Sequence, residues 1–272
     1  RRSTRIPPKP ANRSNLSAIG PLPAYNRNMD WHARYQQQAR WTKNTRDYLF
    51  QRAGLDSAKR ILDVGCGSGA LWEDFPVPLG AARHGLDLSL AAVKQACCNA
   101  PALRVVNAAG ENLPYPDACF DLVFCHYLLL WVQKPEQILR EMARVTRPGG
   151  AVLALAEPDH AARIDHPAPL RQLGERQTAA LLRQGVNPQM GRELAGAFAR
   201  AGIRLVENGV IGGGWNAPTL VETEMEWAVL EADLAGQAPA GDIQHMKELD
   251  AQARREGSRV LFVPTFYAWG RV

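Results

Sequence analysis

Three alternating glycines are the first residues in this chain that point to chemistry. The apolar run Ile61-Leu62-Asp63-Val64 is suited to a buried strand, and it leads directly into Gly65-Cys66-Gly67-Ser68-Gly69. Glycines at alternate positions permit a tight turn that a bulky ligand can approach, because no Cβ atoms stand in the way. In an open α/β sheet, such a turn at the carboxyl end of a strand binds a nucleotide-like ligand. The sequence therefore predicts a cofactor at this turn.

An acidic residue follows at the spacing that a nucleotide site requires. Asp87 ends a second short strand and lies 22 residues after Gly65. A carboxylate about 20 residues beyond a glycine turn accepts hydrogen bonds from a pair of ribose hydroxyls. In a dinucleotide fingerprint the third glycine comes one position later than Gly69 does here, so NAD is the weaker alternative.

The elements around these residues alternate between strand and helix. Apolar runs predict five strands within residues 60–157, with helices such as Leu90–Cys98 and Pro135–Val145 between them. The fifth strand, Ala151–Ala156, is wholly apolar, which is typical of a parallel strand covered on both faces. This alternation predicts an α/β fold with a doubly wound parallel sheet.

Further elements are predicted on either side of this core. A helix is expected over Asp30–Gln51, and strands over Arg204–Val210 and Val260–Ala268, the last with Pro264 marking an edge or a bulge. Residues 158–190 and 218–258 are predicted to be insertions, mainly helical. The first helix of the second insertion is apolar on two sides, so we expect one side to meet the sheet and the other to line a substrate pocket or a dimer interface. The two sides carry Leu220, Trp227, Leu230 and Leu234, and Val221, Met225 and Val229.

Composition and charge limit the class of protein. The 272 residues are 46% hydrophobic and 22% charged, as in ordinary globular proteins, and no window approaches the ~18 apolar residues of a membrane span. The five cysteines, odd in number and without metal-ligand spacing, predict a reduced cytoplasmic protein without a metal site. Residues 1–46 contain ten Lys and Arg against one acid, and prolines cluster in residues 1–24. We therefore expect a basic Pro-rich arm over residues 1–29 and a domain over residues 30–272.

Several stretches, in order, resemble the class I S-adenosylmethionine-dependent methyltransferases. The similar stretches are Ile61–Gly69 (first motif), Gly85–Ser89 (second motif), Ala109–Asp117 (adenine-side loop), Phe120–Cys125 (fourth strand) and Arg140–Gly150 (the helix and turn before the fifth). The resemblance covers about residues 60–157. It implies a Rossmann-like seven-stranded sheet in the order 3-2-1-4-5-7-6 with strand 7 antiparallel, a lid formed by the helical insertions, and S-adenosyl-L-methionine as the cofactor.

The resemblance also implies cofactor-binding roles. The turn Gly65 to Gly69, with Cys66 and Ser68, would contact the methionine part, and Asp63 would orient the turn or the cofactor's amino group. Asp87 would bind the ribose and Leu88 would pack on the adenine. The remaining implied contacts are Ala109, Gly110, Glu111 and Asn112 at the adenine edge, Cys125 and His126 beneath the sulfonium, and Arg40 or Arg46 at the carboxylate. Ala109 departs from the family, which often has Asp or Asn there, so backbone groups or Glu111 would have to replace that side-chain bond.

Candidate catalytic residues follow the fourth and fifth strands. Methyl transfer mainly requires alignment of the acceptor and exclusion of water, with a base where the acceptor is protonated. His126, Tyr127, Glu157 and His160 are the candidates, and an imidazole titrates near neutral pH.

The acceptor is the least determined part of the prediction. Cys125-His126-Tyr127-Leu128 occupies the place of the Asn/Asp-Pro-Pro-Tyr/Phe motif of nucleic-acid amino-methylating enzymes, so we expect a small molecule methylated on oxygen or nitrogen. The two insertions are expected to form its pocket, with Trp131, Trp215, Trp227 and Tyr267 as candidate aromatic walls. A homodimer is an open alternative. Other functions that stay open are an RNA (tRNA or rRNA) or protein methyltransferase that uses the basic arm, a non-catalytic cofactor-binding module, and an NAD-dependent oxidoreductase.

Overall fold

The computed structural model describes residues 30–212 and 218–272. The predicted arm and Trp215 lie outside these residues. The strands are β1 (Arg60–Val64), β2 (Ala82–Asp87), β3 (Arg104–Asn107), β4 (Phe120–Cys125), β5 (Thr146–Pro158), β6 (Ile164–His166), β7 (Arg204–Ile211), β8 (Val260–Phe262) and β9 (Thr265–Arg271). The helices are α1 (Trp31–Ala53), α2 (Leu90–Asn99), α3 (Pro135–Val145), α4 (Arg171–Arg183), α5 (Met190–Arg200), α6 (Leu220–Leu234) and α7 (Ala240–Arg255).

A seven-stranded sheet with the order β3-β2-β1-β4-β5-β9-β7 forms the centre of the fold. Strands β1 to β5 pair in parallel, and β9 is antiparallel to both of its neighbours. This order and the antiparallel strand confirm the predicted fold class. None of the described helices has the length and apolar character needed to cross a membrane.

The sheet is covered on both faces, which explains its apolar strands. Leu62 of β1 belongs to a buried cluster with Ile138 of α3 and Phe198 of α5, whereas the neighbouring Ile61 belongs to a second cluster with Phe50 of α1. Successive strand residues point to opposite faces, so an apolar run is buried throughout only when both faces are covered. The carboxyl ends of the parallel strands therefore share one edge of a sheet that lies between helices.

The last predicted strand is in fact two strands, which corrects the prediction for Val260–Ala268. Strand β8 pairs with β6 in a separate two-stranded sheet, and β9 enters the main sheet. Pro264 lies between them, and a proline cannot donate to a strand ladder. The break lets the chain leave the lid and return to the sheet within two residues.

The two predicted insertions pack against each other and form a lid, defined here as residues 160–183 and 220–262. The apolar face of α6 packs against α4 and α7 rather than against the sheet, which corrects the expectation for that helix. Leu220 and Val221 are exposed. The lid has its own buried apolar cluster: Leu170, Leu173, Ala180, Trp227, Leu230, Leu234 and Met246.

A buried histidine in β2 makes the stability of this fold depend on pH. His84 is 9% exposed, and its ring packs edge-on against Tyr115 and Phe120 at centroid distances of 5.7 and 5.2 Å. Burial, assisted by the charges of Arg104 and Arg60, lowers the pKa of His84 to about 4. Since the unfolded chain binds this proton more readily, stability is lost as the pH falls from the unfolded pKa of about 6.5 towards 4.

We expect His84→Leu to remove part of this pH dependence. Between about pH 7.5 and about pH 5, the wild type should lose ~1–2 kcal/mol more unfolding free energy than the variant, as measured by urea titration. The exposed His245 of α7 offers a control, and His245→Leu should keep the wild-type slope. Equal slopes for the wild type and His84→Leu would contradict the assignment.

Candidate functional site

The glycine turn after β1 forms a cradle in which side chains on the glycine positions would not fit. The backbone N–H groups of Gly65 and Cys66 both donate to the carbonyl of Leu86 at 2.9 Å, which ties the turn to the end of β2. Gly65 and Gly67 have φ angles of +78° and +53°. A Cβ on Gly65 would lie 2.8 Å from the Leu128 side chain, so only glycine fits the turn as it stands.

Asp87 lies beside this cradle with acceptor capacity to spare. Its Oδ2 accepts from the N–H of Gly67 at 2.9 Å, and its Oδ1 accepts from the N–H of Ser89 at 2.8 Å. A carboxylate offers about four acceptor sites, so each oxygen keeps one lone pair for a ligand hydroxyl. Burial raises the pKa of Asp87, partly offset by these two bonds. The cradle and the spare acceptors fit the ribose and methionine parts of S-adenosylmethionine.

A cavity of about 380 Å³ lies over the turn, and we call it the cofactor cavity. Most of the residues predicted to bind the cofactor line it. These are Asp63, Gly65, Cys66, Gly67, Asp87, Leu88, Ala109, Gly110, Glu111 and His126. The other predicted residues, namely Ser68, Gly69, Asn112, Cys125, Arg40 and Arg46, are outside the lining that the described residues provide.

The residues outside the lining have other surroundings. Ser68 is fully buried and bonds to the ring of His32 at 2.8 Å. A Cβ on Gly69 would lie 3.3 Å from Ala96, so this glycine permits close packing of the turn against α2. Cys125 is fully buried within β4 and does not face the cavity. Asn112 is exposed. Their predicted contacts with the cofactor are therefore not supported by the geometry.

The two arginines differ in how well they suit the predicted carboxylate contact. Arg40 is exposed on α1. Arg46 is fully buried, and its Nη2 donates to Asp74 at 3.1 Å and to the carbonyl of Ala39 at 3.2 Å. Its Nε and Nη1 have no hydrogen-bond partner among the described residues. A buried guanidinium with two free donors retains the capacity to bind an anion, so the prediction for Arg46 stays open.

Asp63 lines the cofactor cavity. It is buried, and its Oδ2 accepts from the indole Nε1 of Trp72 at 2.8 Å. Burial raises the pKa of this carboxyl group to about 7, although the Trp72 bond acts in the opposite direction. At neutral pH the group is therefore divided between its neutral and ionised forms.

Helix α1 supplies site residues that the sequence analysis missed. Trp31, Tyr35 and Gln38 line the cofactor cavity, and the Tyr35 ring lies so close to Gly67 that a Cβ there would meet it at 3.2 Å. Burial, and secondarily the charge of Asp87, raises the pKa of Tyr35 to about 12, so the ring remains a neutral cover. The spacing i, i+4, i+7 places these three residues on one face of the helix, whereas the sequence analysis named only Arg40 and Arg46 of this helix as cofactor contacts.

A second cavity of about 720 Å³ lies next to the first, and we call it the acceptor cavity. Trp31, Gln38, Tyr127 and Trp131 line both cavities. The lid and the ends of β5 and β9 supply much of the remaining wall, including Gln177, Glu226, Asp233, Arg259 and Thr265. Of the predicted aromatic walls, Trp131 lines this cavity, whereas Trp227 is buried in the lid. Tyr267, in β9, packs against the second buried cluster and donates to Glu207.

The three cavity-lining catalytic candidates occupy different positions. His126 lines the cofactor cavity, and its Nε2 lies 2.9 Å from the Thr42 hydroxyl. His160 lines the acceptor cavity, and its Nδ1 has no hydrogen-bond partner within the described chain. Tyr127 lines both. Burial lowers the pKa of His126 to about 3 and that of His160 to about 4, and it raises the pKa of Tyr127 to about 12. Both imidazoles are therefore neutral at pH 7, and burial makes each a weaker base than a free imidazole.

Glu157 does not face the cleft, which corrects its prediction as a catalytic candidate. It is fully buried behind the cavity walls. Its carboxylate accepts from the backbone N–H groups of Leu128, Leu129 and Leu130 at 3.0, 2.8 and 3.1 Å. Pro158, the last residue of β5, and His160 line the acceptor cavity, whereas Glu157 points away from it. Glu157 is thus a structural acceptor for the segment after β4.

Comparison with known proteins agrees with this geometry. Residues 62–154 match the family described as "Methyltransferase domain". Malonyl-[acyl-carrier protein] O-methyltransferase of Pseudescherichia vulneris is 36% identical over 121 residues, which are 43% of this chain and 47% of that protein. Phthiotriol/phenolphthiotriol dimycocerosates methyltransferase 1 of Mycobacterium ulcerans (strain Agy99) is 33% identical over 57% of this chain and 60% of its own length. The chain thus spans about half the length of the curated relatives that it matches.

Solved structures share the fold at low sequence identity. A putative methyltransferase from Bacillus halodurans C-125 matches with a TM-score of 0.57 at 14% identity, over 84% of this chain and 98% of that one. Geranyl diphosphate C-methyltransferase from Streptomyces coelicolor A3(2), solved with S-adenosyl-L-homocysteine, matches with a TM-score of 0.52 at 15% identity, over 93% and 89%. Residues 62–154 thus match a methyltransferase domain, and the chain has the fold of the class I S-adenosylmethionine-dependent methyltransferases.

We expect Asp87→Asn to lower the affinity for S-adenosylhomocysteine at least ~tenfold, because the ribose hydroxyls lose a charged acceptor. Asparagine keeps the size of the side chain and one acceptor oxygen, which limits damage to the glycine turn. Calorimetric titration measures the effect, and Asp56→Asn, at an exposed site in the same half of the chain, is the control. Wild-type affinity in Asp87→Asn would reject the role of this carboxylate.

Tyr35→Ala should weaken cofactor binding about tenfold, because it removes the aromatic cover above Gly67. Tyr48 lies on the same helix with 45% of its surface exposed, outside both cavity linings in the described chain, so Tyr48→Ala is a matched control. The same calorimetric titration applies. If both variants bind S-adenosylhomocysteine like the wild type, α1 does not cover the cofactor.

Proposed function

We propose that this protein transfers the methyl group of S-adenosyl-L-methionine to an oxygen or nitrogen of a small-molecule acceptor bound in the acceptor cavity. The observation that carries the proposal is the wall shared by the two cavities, formed by Trp31, Gln38, Tyr127 and Trp131. A molecule in the larger cavity is thereby next to the cavity that contains the glycine cradle. The volume of about 720 Å³ falls within the range of small-molecule sites.

The residues of the chain position the acceptor, exclude water and provide a proton acceptor. The bound cofactor supplies an electrophilic methyl group on a positively charged sulfur. The aromatic rings of Trp31, Tyr127 and Trp131 exclude water from the boundary between the cavities, and alignment of the acceptor there supplies much of the rate enhancement.

His160 is the proposed proton acceptor. It lines the acceptor cavity, it is neutral at pH 7, and its Nδ1 is unpartnered among the described residues. His126 lines the other cavity and is held by Thr42, so we assign it a positioning role. Tyr127 keeps its proton up to about pH 12, so it is suited to donating a hydrogen bond rather than to accepting a proton.

A small neutral or cationic acceptor fits the cavity better than an anionic one. Malonyl-[acyl-carrier protein] O-methyltransferases are among the relatives, but the family match ends at residue 154, before the lid that lines the acceptor cavity. The arginines that line that cavity are paired with carboxylates. Glu222 and Asp233 also line it and have no ion pair among the described residues, so their charges disfavour an acceptor that carries a free carboxylate. The basic arm, on which the alternative of an RNA or protein acceptor depends, lies outside the described residues. A cytoplasmic location and a homodimer stay predictions.

We expect the protein to bind S-adenosylmethionine and S-adenosylhomocysteine, but not NAD, in calorimetric titrations. It should also transfer a labelled methyl group to a member of a panel of small alcohols, phenols and amines. His160→Gln should lower kcat at least ~tenfold while cofactor affinity is unchanged. The wild-type kcat should fall as the pH drops through about 4, where His160 becomes protonated.

His166→Gln, at an exposed histidine of β6, is the control and should keep the wild-type kcat. Binding of NAD without either methyl-donor ligand would contradict the proposed activity. Full kcat in His160→Gln would remove only the assignment of the proton acceptor.

A further inference from the structure

Helix α6 turns a face that carries carboxylates towards the acceptor cavity. Glu222, Glu226, Val229 and Asp233 all line the cavity, and their spacing of four, three and four residues places them on one side of the helix. The other side, with Trp227, Leu230 and Leu234, packs inside the lid. The helix therefore buries its apolar side in the lid and faces the cavity with its acidic side.

Most of the charged groups around the cavity are already paired. Arg34 lies 3.2 Å from Glu226. Arg254 contacts Asp250 at 2.7 Å. Arg259 contacts Asp250 at 2.6 Å and Asp165 at 2.8 Å. These arginines line the cavity, but their charges are balanced by carboxylates of the lid, which for Arg34 is Glu226 of α6.

Asp233 is different, because it is buried without an ion pair among the described residues, and the charges of Arg34 and Arg163 act on it only from further away. It is 4% exposed, and no Lys, Arg or His of the described chain lies within ion-pair distance of it. Among the described residues, the side-chain amide of Gln177 donates a hydrogen bond to Oδ2 of Asp233 at 2.8 Å. A carboxylate in this position has a second oxygen available to a ligand.

Gln177 holds this carboxylate in place without neutralising it. The Oε1 of Gln177 accepts from Arg163 at 2.5 Å, so its NH₂ group is directed at Asp233. Arg163 itself pairs with Asp165 at 2.6 Å. Burial raises the pKa of Asp233 to about 6, which leaves the group mainly ionised above pH 7.

The other walls of the cavity suit an organic cation. Trp31, Trp41, Tyr127, Trp131 and Phe262 line it. Aromatic faces attract cations, and the guanidinium of Arg34 already lies 4.8 Å from the centre of the Trp41 ring. A buried anion within aromatic walls is the combination that binds a protonated amine on an apolar body.

We propose that the acceptor carries a protonated amine that binds to the carboxylate of Asp233, while its apolar part packs on the aromatic walls. This makes Asp233 the residue that selects the acceptor. The inference rests on the proposed function of the larger cavity as the acceptor site. It concerns the group that anchors the acceptor, and it applies to methylation of either oxygen or nitrogen.

The test compares amines with neutral molecules of the same shape. Tryptamine, phenethylamine and tyramine are each paired with the alcohol in which a hydroxyl replaces the amino group. Binding is measured by calorimetry at about pH 7.5 with saturating S-adenosylhomocysteine, so that cofactor binding is verified in the same sample. In the wild type we expect the best amine to bind at least ~tenfold more tightly than its alcohol. Asp233→Asn should lose this preference, and Glu224→Gln, at an exposed acid of α6, should keep it.

Each outcome decides the inference separately from the proposed function. If the alcohols bind as tightly as the amines, if no amine binds, or if Asp233→Asn keeps the preference, Asp233 does not anchor an amine. Asp233→Asn must bind S-adenosylhomocysteine like the wild type, which shows that the variant is folded. Failure of the wild type to bind S-adenosylhomocysteine would instead overturn the proposed function.

Discussion

Three hydrogen bonds to one buried carboxylate position the wall between the two cavities. Glu157, at the end of β5, accepts from the backbone N–H groups of residues 128–130. Without it, three buried donors would lack a partner, at a cost of about 1–3 kcal/mol each. Leu128 packs against the glycine cradle, and Trp131 lines both cavities. Donor site and acceptor site therefore share a support that touches neither of the predicted ligands.

The end of β5 also holds Tyr127, which follows β4, in an unfavourable backbone conformation. Tyr127 has a φ of +53°, which is uncommon for a residue other than glycine. Its N–H donates to the carbonyl of Ala156 at 2.9 Å, and its ring packs edge-on against His126 at a centroid distance of 4.7 Å. The conformation brings Tyr127 to the boundary of both cavities. Strain of this kind costs about 1–3 kcal/mol and persists where the surroundings fix it, as β5 does here.

Most of the residues that the sequence predicted for the donor site line the cofactor cavity, because backbone geometry forms the glycine turn. Glycines with positive φ and an acid at a fixed spacing are properties of local sequence. The alternation of strands and helices predicted the doubly wound sheet, whereas the strand order was implied by the family resemblance. The wrong expectations concern packing between distant segments. Glu157 comes directly after the predicted apolar strand, as a cleft residue would, yet β5 continues through Pro158 and the Glu157 side chain is buried in the core. Tyr35 is one aromatic residue among many on a helix, and only its contact with Gly67 distinguishes it.

Helix α1 connects the two halves of the site. It contributes Tyr35 to the cofactor cavity, Trp41 to the acceptor cavity and Trp31 to both. Arg34 ties the helix to Glu226 on α6, the helix that carries the acidic wall. A ligand in either cavity therefore packs against the same helix. The position of α1 that covers the cofactor cavity also completes the wall of the acceptor cavity. The helix therefore connects the cofactor site, which the sequence motifs indicate, with the proposed acceptor site, which they do not.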